Sequence, residues 1–215
     1  MSRLPVLLLA ALVLLACDTG PGAPSATPPA TATPATATPQ PTGGVCQNLT
    51  RNALNQETTP PAMAIDVNKV YTARMNTSKG SFTINLNPKA APKTVNNFVC
   101  LARAHYYDNL TFHRWVQHFV IQGGDPLGTG FGGPAYKLPN ETNSTPWKAG
   151  SVAMASSSAG VSGSQFFIVL EDGPSAQSLA TSGVYNQFGS VTDGFPVVLQ
   201  LREKDLITSI DITEQ

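Results

Sequence analysis

The side chains able to do chemistry are few, and most are poorly placed for it. Three histidines, His105, His113 and His118, and three cysteines, Cys17, Cys46 and Cys100, are scattered along 215 residues. His113 and His118 stand five positions apart, which suits neither adjacent turns of a helix nor one face of a strand, and no cysteine is at ligand spacing from either. No metal site is expected, nor a disulfide scaffold. The run Gly128-Thr129-Gly130-Phe131-Gly132-Gly133 matches the G-x-G-x-x-G dinucleotide pattern letter for letter. That pattern works only where a helix opens at the loop and turns its N-terminus towards a pyrophosphate. Pro134 and Pro139 interrupt the residues after the run, and no βαβ unit surrounds it. The run reads as a flexible surface loop, and no cofactor is expected.

Two longer stretches carry more information. Tyr107-Asp108-Asn109-Leu110-Thr111-Phe112-His113-Arg114 leads into Phe119-Val120-Ile121-Gln122-Gly123-Gly124-Asp125-Pro126. A second stretch, Gly150-Ser151-Val152-Ala153-Met154-Ala155, is followed by Gly163-Ser164-Gln165-Phe166-Phe167-Ile168. With Pro92-Lys93-Thr94-Val95-Asn96-Asn97-Phe98 ahead of them and Phe188-Gly189 behind, they resemble the ordered motifs of the cyclophilin family of peptidyl-prolyl cis/trans isomerases, from roughly Val70 to the C-terminus. The resemblance implies a mainly β fold, a closed antiparallel eight-stranded barrel capped by two α-helices. It implies non-covalent isomerisation of Xaa-Pro bonds in proline-containing polypeptides, with no metal or cofactor.

The chemistry can be checked against the residues. Partial double bonding in the C–N bond makes uncatalysed Xaa-Pro isomerisation take roughly tens to hundreds of seconds. In the twisted state the proline nitrogen regains a lone pair, so a fixed donor beside it stabilises that state more than the planar one. The resemblance gives Arg114 that role, with Gln122 and Phe119 completing the catalytic set. It gives His113, Val120, Met154, Ala155, Ser156, Gln165, Phe167, Leu179 and Tyr185 to substrate binding. Phe166, next to Phe167 in strand alternation, is expected in the core. Ser156 stands where the family usually has Asn, Val120 where it has Met, and Tyr185 where many members have His. The segment from Glu171 to Val184 is longer than usual and lacks the family's tryptophan, which implies weakened cyclosporin binding. By sequence position neither Trp115 nor Trp147 replaces it.

Positioning these residues requires many short strands. Val70 to Met75 and Ser81 to Leu86 read as a hairpin about Thr77-Ser78-Lys79-Gly80. Phe112 to Ile121, Ser151 to Met154, Gln165 to Leu170, Gln187 to Val191 and Leu206 to Ile212 are further candidates. Val95, Phe98, Val99 and Ala102 mark one face of a helix after Pro92, and Phe195 to Arg202 a second, shorter one. Many short strands with two helices also point to an antiparallel sheet closed into a barrel.

The N-terminus has a different character. Arg3 and the apolar run Leu4 to Ala16 read as a signal peptide, residues 1–16, too short to span a bilayer. Leu14-Leu15-Ala16-Cys17 resembles the lipobox of bacterial lipoproteins, which implies lipidation at Cys17 and a membrane anchor; an ordinary secretory signal is the alternative. From Asp18 to about Gly44 the chain is Pro, Thr, Ala and Gly, too poor in apolar side chains to fold and suited to an extended tether. With a polar transitional stretch this tether makes up residues 17–64, and the folded domain is expected over residues 65–215. The localisation expected is the outer face of a cell membrane or the periplasm. Export permits a Cys46–Cys100 disulfide, while Cys100 beside the apolar helix face also suits a buried thiol. Thirteen basic and thirteen acidic residues, with no basic stripe, set nucleic acid aside. A monomer is the default. Non-catalytic readings are a proline-binding scaffold or chaperone lipoprotein on the same fold, or a solute-binding or adhesive lipoprotein.

Overall fold

Alternation of apolar and polar side chains builds the first hairpin. In a computed structural model, β1 (Tyr71–Thr77) and β2 (Gly80–Leu86) pair antiparallel and bury Tyr71, Ala73, Met75, Phe82, Ile84 and Leu86 at every second position. The structure describes Cys46 and residues 51–215. The signal segment, Cys17 and the Pro/Thr-rich tract lie outside the described residues.

Eight further strands continue the sheet: β3 (Leu110–Thr111), β4 (Arg114–Val116), β5 (Val120–Gly123), β6 (Lys137–Leu138), β7 (Ser151–Ser157), β8 (Gly160–Val169), β9 (Gln187–Asp193) and β10 (Leu206–Glu214). They hydrogen-bond in the order β3-β10-β1-β2-β9-β7-β8-β5-β4, with β6 on β8 off this path. The two ends of that order, β3 and β4, are consecutive pieces of one chain run. Its start pairs with β10 and its end with β5, so the sheet closes on itself. Counted as one strand, that run makes an antiparallel ring of eight. The expected strand from Phe112 to Ile121 is thus the β4–β5 hairpin, turned at His118 with φ 60°.

The helices differ from expectation. The helix after Pro92 is present as α2 (Pro92–Arg103), and the second, expected over Phe195 to Arg202, is only the single turn α4 (Phe195–Val198). Beyond it the chain continues with tighter i to i+3 bonds, from Gln200 to Val197 and from Leu201 to Val198. Two further helical segments lie outside the expected pair: α1 (Arg51–Gln56) and α3 (Pro174–Ser182). Only Ala176 and Leu179 are buried on α3, too few to give a periodic signal.

The first turn of α2 leaves backbone N–H groups without helical partners. Glu141, from the β6–β7 connection, accepts from the N–H of Lys93 at 2.9 Å and of Thr94 at 2.8 Å. Its negative charge there also suits the helix dipole. Burial on α2 extends beyond the expected face to Asn96 and Asn97, and both are paired. Asn97 donates to the Gly163 carbonyl at 2.8 Å and accepts from the Tyr136 hydroxyl at 2.6 Å. Asn96 donates to the carbonyls of Pro61 and Ala62 and accepts from the Ala64 N–H.

That segment is expected ahead of the domain, yet it is bonded to it. Cys46 forms a disulfide with Cys100 on α2. Arg51 donates to the carbonyls of Tyr106 and Asp108, and Asn55 accepts from the Tyr106 hydroxyl at 2.6 Å.

Inside the barrel Phe98 is the hub of an aromatic cluster, with ring centroids 5.0 Å from Phe188, 5.2 Å from Tyr107 and 5.8 Å from Phe166. Truncating it removes contacts on three sides at once. Phe98→Ala is expected to lower stability by about 3–5 kcal/mol, read as a drop in the urea midpoint with unchanged slope. A loss below about 1 kcal/mol would contradict this packing.

Candidate active site

Strand register brings the site together. Arg114 on β4 lies opposite Gln122 on β5, Gln122 opposite Phe167 on β8, and Phe167 opposite Ala153 on β7. Directly opposed residues share a face of the sheet, so these four form one row across four strands. Phe166, one position along, points the other way into the barrel core. Val116, Val120 and Val169 form the next row. Phe119 stands in the β4–β5 turn, where its carbonyl accepts from the Leu170 N–H at 2.8 Å.

Beneath this face lies a small apolar cluster, separate from the main core: Val120, Trp147, Ala153, Phe167, Val169, Ala176 and Leu179, with Phe119, Ala155 and Tyr185 packed against it. The Phe167 ring is fixed on two sides. Trp147 stacks on it at 6.1 Å and an interplanar angle of 11°, and Tyr185 meets it edge-on at 5.4 Å. Above the cluster opens a cavity of about 270 Å³. Phe119, Val120, Phe167, Leu179 and Tyr185 wall it; Arg114, Gln122, Ala155 and Ser156 complete the lining.

The polar rim is ordered by a chain of side-chain amides. Arg114 Nη1 donates to Gln122 Oε1 at 3.3 Å, and Gln122 Nε2 donates to Gln165 Oε1 at 3.0 Å. Gln165 Nε2 in turn donates to the carbonyls of Gly130 and Gly132, both at 2.9 Å. Two carbonyls can bond only to the NH₂ of Gln165, which fixes each amide in the chain one way round. The result aims an acceptor at Arg114.

The loop that anchors this relay is the glycine run, and it is held rather than flexible. Asp125, 1% exposed, accepts from the N–H groups of Leu127 at 2.8 Å, Thr129 at 2.9 Å and Gly130 at 2.5 Å. Burial pushes its carboxyl up, but the backbone N–H groups outweigh that and hold it below the ordinary carboxylate range. A Cβ on Gly132 would lie 2.0 Å from Asp125 Oδ1. The glycine there leaves room for the loop to wrap a charge.

Nine of the twelve residues assigned from sequence line the cavity. Gln165 does not; it acts one bond further back. Met154 is fully buried in the main core, because alternation from Ala153 turns it inward. His113 is absent from the lining, and neither ring nitrogen has a hydrogen-bond partner among the described residues. Burial lowers its pKa, opposed by Asp125 and Glu203 and assisted by Arg114. Trp147 is the site residue that sequence reasoning misses. It precedes the second motif, and only the fold carries it beneath Phe167.

The family model described as cyclophilin type peptidyl-prolyl cis-trans isomerase/CLD matches residues 72–213. The chain belongs to the cyclophilin-type peptidyl-prolyl cis-trans isomerases. It is 43% identical over 142 residues to a peptidyl-prolyl cis-trans isomerase of Synechococcus elongatus, covering 65% of this chain and 94% of that one. A solved cyclophilin-type isomerase of Cryptosporidium parvum is similar with a TM-score of 0.60 and 31% identity, over 68% of this chain and 99% of that one. The same protein in the presence of the dipeptide Ala-Pro gives a TM-score of 0.57 and 30% identity, over 67% and 99%. The match opens in β1 and ends in β10, so α1 and the segment bonded to Asn96 stand outside it. The barrel is thus bonded to residues that lie outside the matched span.

Asp125 gives the site a pH dependence. Its pKa is depressed in the folded state, so its contribution is present above the unfolded carboxyl pKa and is lost as pH falls through the lower folded value. Urea midpoints between about pH 2 and pH 5 should fall on acidification, and less steeply in Asp125→Asn. That variant should also be less stable at pH 7 by about 2–3 kcal/mol. Parallel acid limbs would contradict the assignment.

Proposed function

We propose that this isomerase acts on Xaa-Pro bonds of exported polypeptides, assists their folding, and is held at a membrane by an acylated Cys17. Arg114 stabilises the twisted amide. The observation that carries the mechanism is the relay from Gln165 through Gln122 to Arg114, at the rim of a cavity of about 270 Å³ walled on one side by Phe119, Val120, Phe167 and Leu179. Proline seated between Phe119 and Phe167 would bring its nitrogen to the side where the guanidinium is held. As the C–N bond rotates, the nitrogen becomes pyramidal and accepts from Arg114, and this interaction is absent in the planar amide. Excluding water from the ring raises the worth of that bond. The Ala-Pro dipeptide in the Cryptosporidium parvum relative supports a proline-containing peptide as the ligand.

Two features support export. The apolar run before Cys17 is that of a signal peptide. The Cys46–Cys100 disulfide suits an oxidising compartment. The Pro/Thr-rich tract behind Cys17 would then serve as a spacer from the membrane surface.

Arg114→Ala should lower kcat/KM for a prolyl peptide at least about 100-fold while the fold persists. Arg114→Lys should also be poor, since an ammonium does not reproduce the planar fork. Near wild-type turnover by folded Arg114→Ala would overturn the mechanism. Mass spectrometry of the mature protein tests the anchor: the expected N-terminus is an acylated Cys17, and Cys17→Ser should abolish the acyl mass. An unmodified start beyond Cys17 would refute it.

A further inference from the structure

Asn55 lies outside the span matched to the family and lines no part of the isomerase cavity, yet it is bonded to a residue that reaches the relay. It stands one turn after Arg51 on α1, and Arg51 fixes that helix by donating to the carbonyls of Tyr106 and Asp108. Asn55 Oδ1 accepts from the Tyr106 hydroxyl at 2.6 Å. That length suits an O–H···O bond and is short for N–H···O, so the hydroxyl is the donor. Tyr106 is fully buried, and burial pushes its pKa up to about 12, so the proton stays in place at neutral pH.

A tyrosine hydroxyl has one proton to give. Its other partner among the described residues is Ser164 Oγ, at 3.4 Å. Ser164 is already committed. Its Oγ donates to the Gly124 carbonyl at 2.7 Å, and its carbonyl accepts from the Tyr107 hydroxyl at 3.3 Å. A Cβ on Gly133 would lie 2.8 Å from that Oγ, and one on Gly124 would lie 2.4 Å from the Ser164 carbonyl oxygen. Ser164 therefore packs against both ends of the loop whose Gly130 and Gly132 carbonyls hold Gln165, and it directly precedes Gln165 on β8.

We propose that Asn55 is a positioning residue for isomerisation: by taking the Tyr106 proton it leaves Ser164 on Gly124, and so keeps the relay through Gln165 and Gln122 aligned on Arg114. The inference rests on the Arg114 mechanism above. With an apolar side chain in place of Asn55, a buried hydroxyl loses its acceptor, which is destabilising, and Ser164 Oγ is the oxygen beside it. A good O–H···O bond is about 2.7–2.8 Å long, so closing that contact draws the two groups together by roughly 0.6 Å. The Arg114 bond to Gln122 is already 3.3 Å long and does not survive much stretching. A misplacement of about 1 Å can cost roughly 100-fold in rate, so a shift of about half that should cost roughly tenfold.

The test measures kcat/KM of the full chain on an alanine pentapeptide containing Ala-Pro. Asn55→Leu should lose roughly tenfold. Asn55→Asp keeps an oxygen acceptor and should stay within about twofold of the wild type. Adding Tyr106→Phe to Asn55→Leu removes the stranded hydroxyl and should restore turnover. In an Arg114→Ala background, Asn55→Leu should cost almost nothing. Wild-type turnover by Asn55→Leu, an equal loss in Asn55→Asp, or a loss that persists beside Tyr106→Phe or Arg114→Ala would each overturn the proposal. Failure of the wild type to turn over the peptide would instead defeat the isomerase reading, and near wild-type turnover by Arg114→Ala the mechanism on which the inference rests.

Discussion

The bond from Arg114 to Gln122 Oε1 is the contact on which the rest of the site depends. An exposed arginine samples many rotamers, and in the mechanism we propose a mobile guanidinium would give little preference for a twisted amide over a planar one. Orientation must come from elsewhere. It comes from two carbonyls of the Gly130–Gly132 loop, through Gln165 and Gln122. The loop can present those carbonyls because Asp125 gathers its N–H groups from the inside. A buried charge thus fixes a surface charge, with neutral amides between them.

The apolar half of the site obeys a different constraint. Phe166 and Phe167 are neighbours on β8 and belong to separate clusters, one inside the barrel and one on its outer face. The outer cluster has no second sheet to cover it. α3 covers it instead, through Ala176 and Leu179, while Trp147 and Tyr185 hold the Phe167 ring by stacking and edge contact. Ring pairs of this kind add about 0.5–1.5 kcal/mol beyond their burial, enough to keep the ring in one orientation. The cavity is therefore shaped before any peptide enters.

Much of this is legible in the residues, for physical reasons that can be named. Strand alternation separates Phe166 from Phe167, and the spacing of Arg114 and Gln122 survives as direct cross-strand opposition. Where the sequence misleads, the missing information is tertiary. Trp147 and Glu141 act from loops whose destinations no local pattern encodes. α3 has too few apolar positions to show a period. The glycine run reads as flexible because its partner, Asp125, works through backbone N–H groups that carry no sequence signature. Residues 51–64 look like tether because they are polar, yet their polar groups meet those of Asn96 and Tyr106.

The relay makes a claim that single substitutions do not isolate: Gln165 matters to turnover because it positions Arg114. A double-mutant cycle in kcat/KM on Gln165→Leu and Arg114→Ala measures this directly. Gln165→Leu should cost about tenfold in the wild-type background and almost nothing once Arg114 is gone. Equal losses in both backgrounds would mean that Gln165 and Arg114 act independently, and the relay would not be the device that orients the guanidinium.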